Sequence, residues 1–264
     1  MPDPNPSNDD FPAHSPAHPA GNAHFATTRW TLVVAAGAAR PDGTPEARKA
    51  LSELCALYWY PVYAYVRRRG KNAEDSLDLT QGFFTRLIEK NDLAAADPAR
   101  GRFRGWLLAS VKNYLANEWD RVTARKRGGG RSILSIDADD AEDRYRREPA
   151  HHLTPERIFD RRWALTLLER ALSALQSECE RDGKAGLFAA LKPTLTGDGR
   201  DPSNPYRDLA EVLGMTEGSV KVAAHRLRRR YRDLLRLHIA ETVGRPEDVD
   251  DEIRDLFAAV RMPD

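Results

Sequence analysis

The chain has 264 residues, 31% of them charged and 41% hydrophobic, with a formal net charge of +1 and a mean hydropathy of −0.61. This balance fits two small domains of thin helical layers with much solvated surface and argues against a deep single core. The two cysteines, Cys55 and Cys179, lie far apart and outside any C-x-x-C pair, which argues against a disulfide framework or zinc site and points to a reducing, cytoplasmic setting. No run reaches the roughly 18 apolar residues of a membrane span, and the N-terminus has no apolar signal core, so no membrane attachment is expected.

Residues 1–26 are rich in Pro, Asn, His and Ala without periodicity and predict a disordered arm. Thr28-Arg29-Trp30 opens a short apolar stretch to Ala39, broken between Pro41 and Pro45. From Glu46 to Arg69, Leu51, Leu54, Cys55, Leu57, Tyr58, Val62, Tyr65 and Val66 recur at three and four, predicting a helix that Pro61 kinks and Gly70 ends. The Arg67-Arg68-Arg69 triplet is read as structural, because cations at a helix C-terminus favour the macrodipole alone. Asp75 to Glu89 and Phe103 to Val122 repeat the helical pattern, so 27–127 forms a first module.

Residues 128–154 change character. Gly128-Gly129-Gly130, an acidic patch from Asp137 to Asp143, and Pro149 read as a flexible linker, in which His151, His152 and the acids are solvated rather than metal ligands. Thr154-Pro155-Glu156 starts a helix, with Thr154 as cap, that continues from Ile158 to Leu175 and opens a second module over 155–238. The stretch from Ser177 to Pro205, rich in Gly, Asp and Pro, reads as an insertion. Residues 239–264 form an acidic extension with Val249, Ile253, Leu256 and Val260 at helical spacing. No strand-like alternation or solenoid repeat occurs, so the fold class is all-α: two small helical domains joined by a flexible linker, the second containing a helix-turn-helix.

That motif is read from Tyr206 to Leu235: a short helix, a turn at Gly214-Met215-Thr216, then a longer helix from Glu217. Ala210 is small where two helices cross, Gly214 suits a left-handed helix end, and Val220 and Leu227 supply a buried face. Thr216 caps a helix whose Glu217, Ser219, Lys221, Val222 and His225 suit base edges or phosphates in a major groove, followed by Arg226, Arg228, Arg229, Arg230 and Arg232 for phosphates. A solvated helical hairpin is the plainer alternative; the arginine run from Arg226 to Arg232 favours DNA. The near-zero net charge hides opposed blocks. Nine basic residues from Arg100 to Arg131 face Glu118 and Asp120, seven from Glu217 to Arg236 face two acids, and seven acids from Glu241 to Leu256 face Arg245 and Arg254. Two cationic patches imply two anionic contacts.

Ala73-Glu74-Asp75-Ser76-Leu77-Asp78-Leu79-Thr80-Gln81-Gly82-Phe83-Phe84 resembles the polymerase-docking helix of bacterial RNA polymerase sigma factors of the extracytoplasmic-function type. Phe103-Arg104-Gly105-Trp106-Leu107 through Asn113-Tyr114 is similar to the segment by which that family captures flipped bases of the melted minus-ten element. The resemblance implies core RNA polymerase as partner, bound through Asp75, Asp78, Leu79, Gln81 and Phe84. It also implies promoter DNA and its melted strand, contacted through Arg102, Arg104, Lys112, Asn113, Asn117, Arg121, Arg125 and Lys126. Thr216, Glu217, Ser219, Lys221, Val222, His225, Arg226 and Arg229 would read the minus-thirty-five element. Melting a duplex needs aromatic faces and a cationic groove, which Phe103, Trp106, Tyr114 and Trp119 among basic residues offer; for Phe103 and Trp106 core packing is the preferred reading.

No catalytic residue, metal ligand or cofactor is expected, because no metalloprotease, phosphate-loop or nucleophile-elbow motif occurs. Restraint is expected from an anti-sigma protein or from the acidic tail folding back on a basic face. A helix-turn-helix regulator that does not bind polymerase is the nearest rival, but leaves the Asp75 to Phe84 pattern without a use. A protein-binding helical scaffold would not need two cationic patches.

Overall fold

A computed structural model describes residues 44–90, 92–97, 102–124, 138–147, 153–196 and 205–261. Capping residues set where its helices start. Helix α1 (Pro45–Arg68) begins where Thr44 Oγ1 accepts the Ala47 amide at 3.2 Å, and stops before Gly70, which takes φ +86°. Helix α2 (Ala73–Glu89) is capped by Asn72, whose side-chain oxygen accepts the Asp75 amide at 2.7 Å. A 3-10 turn at Asp92–Ala95 leads to α3 (Phe103–Ala124), then α4 (Ala138–Arg146). Helix α5 (Pro155–Arg181) starts as the sequence expects, with Thr154 Oγ1 accepting the Arg157 amide at 3.3 Å and Pro155 in its first turn. Helices α6 (Ala185–Thr196), α7 (Pro205–Leu213) and α8 (Glu217–Ala240) follow, then a 3-10 turn at Pro246–Asp248 and α9 (Val249–Val260). The fold is all-α, with no strand among the described residues and no helix there long and apolar enough to cross a membrane.

Helices α1 and α5 pack along each other and organise the rest. From Tyr58 to Val66 every residue of α1 except the half-buried Trp59 is buried, and a helix of that kind must be covered all round. Helices α2 and α3 cover part of it with Phe83, Phe84, Phe103 and Leu107, and α5 covers the remainder with Phe159, Trp163, Leu167 and Ala171. The Tyr58 ring meets Phe103 edge-on at 5.3 Å between centroids and lies near-parallel to Phe159 at 6.4 Å. The same apolar cluster continues into Leu234, Leu235 and Ile239 of α8 and Leu256 and Ala259 of α9. Residues on both sides of 128–154 therefore share one core, where the composition argued against a single deep one; the cause is α1, whose apolar girth exceeds what two helices can cover.

The segment read as a flexible linker holds α4. Its docking is mainly polar: Glu142 accepts bonds from Arg67 Nε and Nη2 at 2.9 and 2.8 Å and from the Tyr63 hydroxyl at 2.7 Å, while Ala141 is buried against Tyr60 and Tyr63. The Arg67 guanidinium also lies 4.8 Å from the Tyr145 ring centroid, so the first member of the arginine triplet has a structural use, in docking α4 rather than through the helix end alone. Likewise the insertion after Ser177 contains the end of α5 and all of α6, whose Leu191 packs with Ala210, Val220 and Ala224. The expected arm at 1–26, the stretch Thr28 to Ala39, the glycines 128–130, Asp137, His151 and His152 lie outside the described residues.

Candidate nucleic-acid and polymerase interface

Helix α2 sorts its residues by face. Asp75 and Asp78 are exposed, Leu79 and Gln81 half-buried, and Phe84 is 1% exposed in the core. Of the five residues matched to polymerase docking, Phe84 thus positions the helix from beneath while the other four present surface. Gly82 has a separate cause: a Cβ there would stand 2.5 Å from the Tyr114 hydroxyl, so a larger residue would push the Tyr114 ring aside.

Beside that contact lies a cleft of about 210 Å³ between α2, the Asp92–Ala95 turn and α3. Phe83, Trp106 and Tyr114 supply ring surface, and Arg86, Ser110, Asn113 and Asn117 supply polar groups. Phe83 and Tyr114 meet edge-on at 5.7 Å, and Arg86 lies 6.0 Å over the Tyr114 ring while pairing with Asp92 at 3.5 Å. Asn113 and Asn117 are exposed, and an amide side chain can donate and accept at once. Both asparagines are residues the sequence points to; Trp106, expected in the core, packs against it half-buried and also lines the cleft, whereas Phe103 is core as expected. Arg86 was missed, since nothing in the local pattern separates it from an ordinary helix-end cation.

Three other residues matched to the minus-ten element are engaged elsewhere. Arg104 donates to both carboxylate oxygens of Glu252 at 3.1 Å and pairs with Asp160; Arg102 pairs with Glu252 at 2.8 Å and with Asp255. Burial opposes the charge of Arg104, but hydrogen bonds to Glu252 and the nearby carboxylates hold the guanidinium above its ordinary pKa. Lys112 pairs with Glu156 at 2.8 Å in an exposed contact that water and a phosphate could readily replace. Arg121 falls in α3, but its side chain and that of Trp119, with Arg125 and Lys126 entire, lie outside the described residues.

At the other end of the molecule, α7 and α8 are joined by a three-residue turn. Gly214 adopts φ +62°, its amide bonds Glu211 O at 3.3 Å and the Met215 amide bonds Ala210 O at 3.0 Å, a Schellman closure. Thr216 Oγ1 accepts the Ser219 amide at 3.2 Å and starts α8, and Val220 and Ala224 are buried beneath. Glu217 and Lys221 pair with each other at 2.7 Å, Val222 is 51% exposed, and His225, Arg226 and Arg229 point into solvent with no side-chain partner for either arginine among the described residues. The neighbouring arginines differ: Arg228 donates to the Tyr206 hydroxyl at 2.8 Å and to Thr194 O at 3.3 Å, and Arg230 holds Glu178 of α5 at 2.8 and 2.6 Å. The run from Arg226 to Arg232 is thus divided between solvent and scaffold by helical phase.

No protein-family model matches the chain, and no solved structure matches it. Over 200 residues, 76% of this chain and 67% of the relative, it is 27% identical to the ECF RNA polymerase sigma factor SigE of Mycolicibacterium smegmatis. That match rests on sequence alone and agrees with the resemblance read in the α2 and α3 motifs. At this distance the chain is similar to an extracytoplasmic-function RNA polymerase sigma factor.

Proposed function

We propose that the protein is a sigma factor: without catalysing a reaction itself, it recruits core RNA polymerase in the cytoplasm, directs it to specific promoters and promotes melting of the minus-ten element. The observation that carries this reading is the cleft between α2 and α3. An unstacked base needs ring surface beneath it and donors and acceptors at its edge, and Trp106 and Tyr114 beside Asn113 and Asn117 offer both. At about 210 Å³ the cleft is smaller than a drug-sized pocket of about 300–1,000 Å³, and it suits one planar group rather than a larger ligand.

Asp75, Asp78, Leu79 and Gln81 form the polymerase contact on the outer face of α2, adjacent to the cleft. In the second module Ser219, Val222, His225, Arg226 and Arg229 face the major groove of the minus-thirty-five element, and the Glu217–Lys221 pair opens when either finds a base or phosphate. Lys112 serves the melted strand. Arg102 and Arg104 leave the DNA-contact set, because both are held by carboxylates of α5 and α9. Of the two restraints expected, the acidic tail is favoured over an anti-sigma partner by that contact, since it occupies two residues of the basic patch.

Run-off transcription with core polymerase from the source bacterium and fragments of its genome tests the reading. Discrete transcripts are expected with the wild-type chain and a loss of at least tenfold with Gln81→Ala or Asn113→Ala. DNA binding without polymerase binding would instead make the protein a helix-turn-helix regulator.

A further inference from the structure

Helix α8 turns Val220 and Ala224 inward, and both are fully buried. At about 100° per residue, the line directly opposite those two runs through Gly218, Val222 and Arg229, with His225 and Arg226 on its flanks. Exposure agrees, since all five are open to solvent, Val222 at 51%. With α8 laid in a groove, this is the line that reaches deepest. The other side chains of the first turns are engaged: the Ser219 hydroxyl lies 2.8 Å from Thr216 Oγ1, Glu217 pairs with Lys221 at 2.7 Å, and Lys221 Nζ lies 6.0 Å from the Tyr206 ring centroid. Up to Val222, the outermost line carries no polar side chain at all.

Neither residue on that line has a cause within the chain. A Cβ built at Gly218 meets nothing within 4 Å, and the residue sits in regular helix without a positive φ. Glycine in a helix is less stable than alanine by about 1 kcal/mol, so the bare surface is kept against the preference of the helix itself. Val222 holds a branched apolar group in water one turn further on, about 6 Å along the axis. A single exposed valine is ordinary; one at the outermost point of a cationic helix, beside a bare turn, matches a particular ligand chemistry. Among the groups that base pairs present in the major groove, only the thymine 5-methyl is apolar. The bare turn at Gly218 lets a base edge come within van der Waals reach of Val222, and the exposed Arg226 and Arg229 complement the phosphates that border the groove.

Resting on the reading of α8 as the minus-thirty-five helix, we propose that Gly218 and Val222 form a seat for the 5-methyl group of one thymine. Val222 sets a preference for an A·T pair with its thymine on the contacted strand, and Gly218 keeps the space into which that base edge fits. The contact is apolar, so it distinguishes thymine from uracil, which presents the same O4 acceptor without the methyl group.

The test selects duplexes from a randomised pool of promoter length, using the full-length chain with core RNA polymerase and the full-length chain alone. Each thymine of the enriched minus-thirty-five segment is then replaced singly by uracil. At one position the replacement should weaken binding about fourfold, the worth of burying one methyl group, and Val222→Ala should bind the thymine and uracil duplexes there alike. Gly218→Ala should raise the urea midpoint, because the helix gains and nothing clashes, yet weaken duplex binding about tenfold by filling the seat. An enriched segment with no thymine in common, a uracil series without effect, the same thymine preference in Val222→Ala, or undiminished binding by Gly218→Ala would overturn the seat. Enrichment by the chain alone without binding to polymerase would remove the sigma reading, and the uracil series would still decide the seat. A pool that neither form enriches would overturn both.

Discussion

The Tyr114 hydroxyl rests on α2 where one methyl group is absent. Alanine at an exposed helical position is favoured over glycine by about 1 kcal/mol, yet at position 82 its Cβ would meet the Tyr114 hydroxyl at 2.5 Å. Gly82→Ala should therefore cost about 1–3 kcal/mol, as overpacking does, measured as a lower urea midpoint, and should reduce run-off transcription because Tyr114, Asn113 and Asn117 line one cleft. Adding Tyr114→Phe, which removes the clashing oxygen, should recover most of the stability; a Gly82→Ala chain as stable as wild type would refute the close approach. The sequence offered no sign of this contact, because periodicity reports which face of a helix is buried and not which residue of another helix meets it. For the same reason Phe103 was readable as core, while Arg104 looked like one more member of a basic patch: its partners Asp160 and Glu252 lie far along the chain. Solvent-facing residues on α8 were more legible, since Thr216, Val220 and Ala224 fix the phase of the helix by themselves.

At the level of elements, helices with a clear apolar stripe could be read, most sharply where a capping residue marked the start, and the others could not. Thr154-Pro155 and Thr216 marked the starts of α5 and α8, and the spacing of Val249, Ile253 and Leu256 marked α9. Among the described side chains of helix α4 only Ala141 is buried, and the helix is held by charge, so its sequence reads as a solvated acidic patch. Helix α6 carries Pro193 and lies in a Gly- and Pro-rich stretch, which conceals it likewise. Charge docking gives α4 a pH dependence. Hydrogen bonds from Arg67, joined by the Tyr63 hydroxyl, hold the Glu142 carboxyl below its ordinary value of 4.5. A depressed folded pKa contributes stability above the ordinary value and loses it as pH falls through the folded one. Docking should thus be complete at pH 7 and weaken as pH drops below 4.5, seen as faster hydrogen exchange across 138–146 relative to α1. Glu142→Gln should weaken docking by about 1.5–3 kcal/mol at neutral pH, the range for charged hydrogen bonds, and flatten the acid response; an unchanged profile would assign it to other carboxylates.

For the whole molecule, the opposed charge blocks and the shared core lead to separate expectations. DNA affinity should fall steeply with salt through the exposed arginines of α8, and Arg226→Ala with Arg229→Ala should lower the slope of log affinity against log salt by about 0.9 for each phosphate no longer neutralised. An unchanged slope would remove both from the interface. The shared core bears on folding. Two modules joined by a flexible linker should melt in two steps, because little would couple them. Here Tyr58 and Phe103 of the first module pack with Phe159 of α5 and, through the same cluster, with Leu235 and Leu256 near the C-terminus. Exposing one module would uncover the apolar surface of the other, so the described helices should unfold as one unit. Guanidinium titrations followed by far-UV circular dichroism and by tryptophan fluorescence should coincide, Trp163 reporting from beneath Arg104 at the junction of α3, α5 and α9. Weakening that junction with Glu252→Gln should separate the two curves, the fluorescence change coming first. Resolved transitions in the wild-type chain would mean that the junction between modules is too weak to couple them.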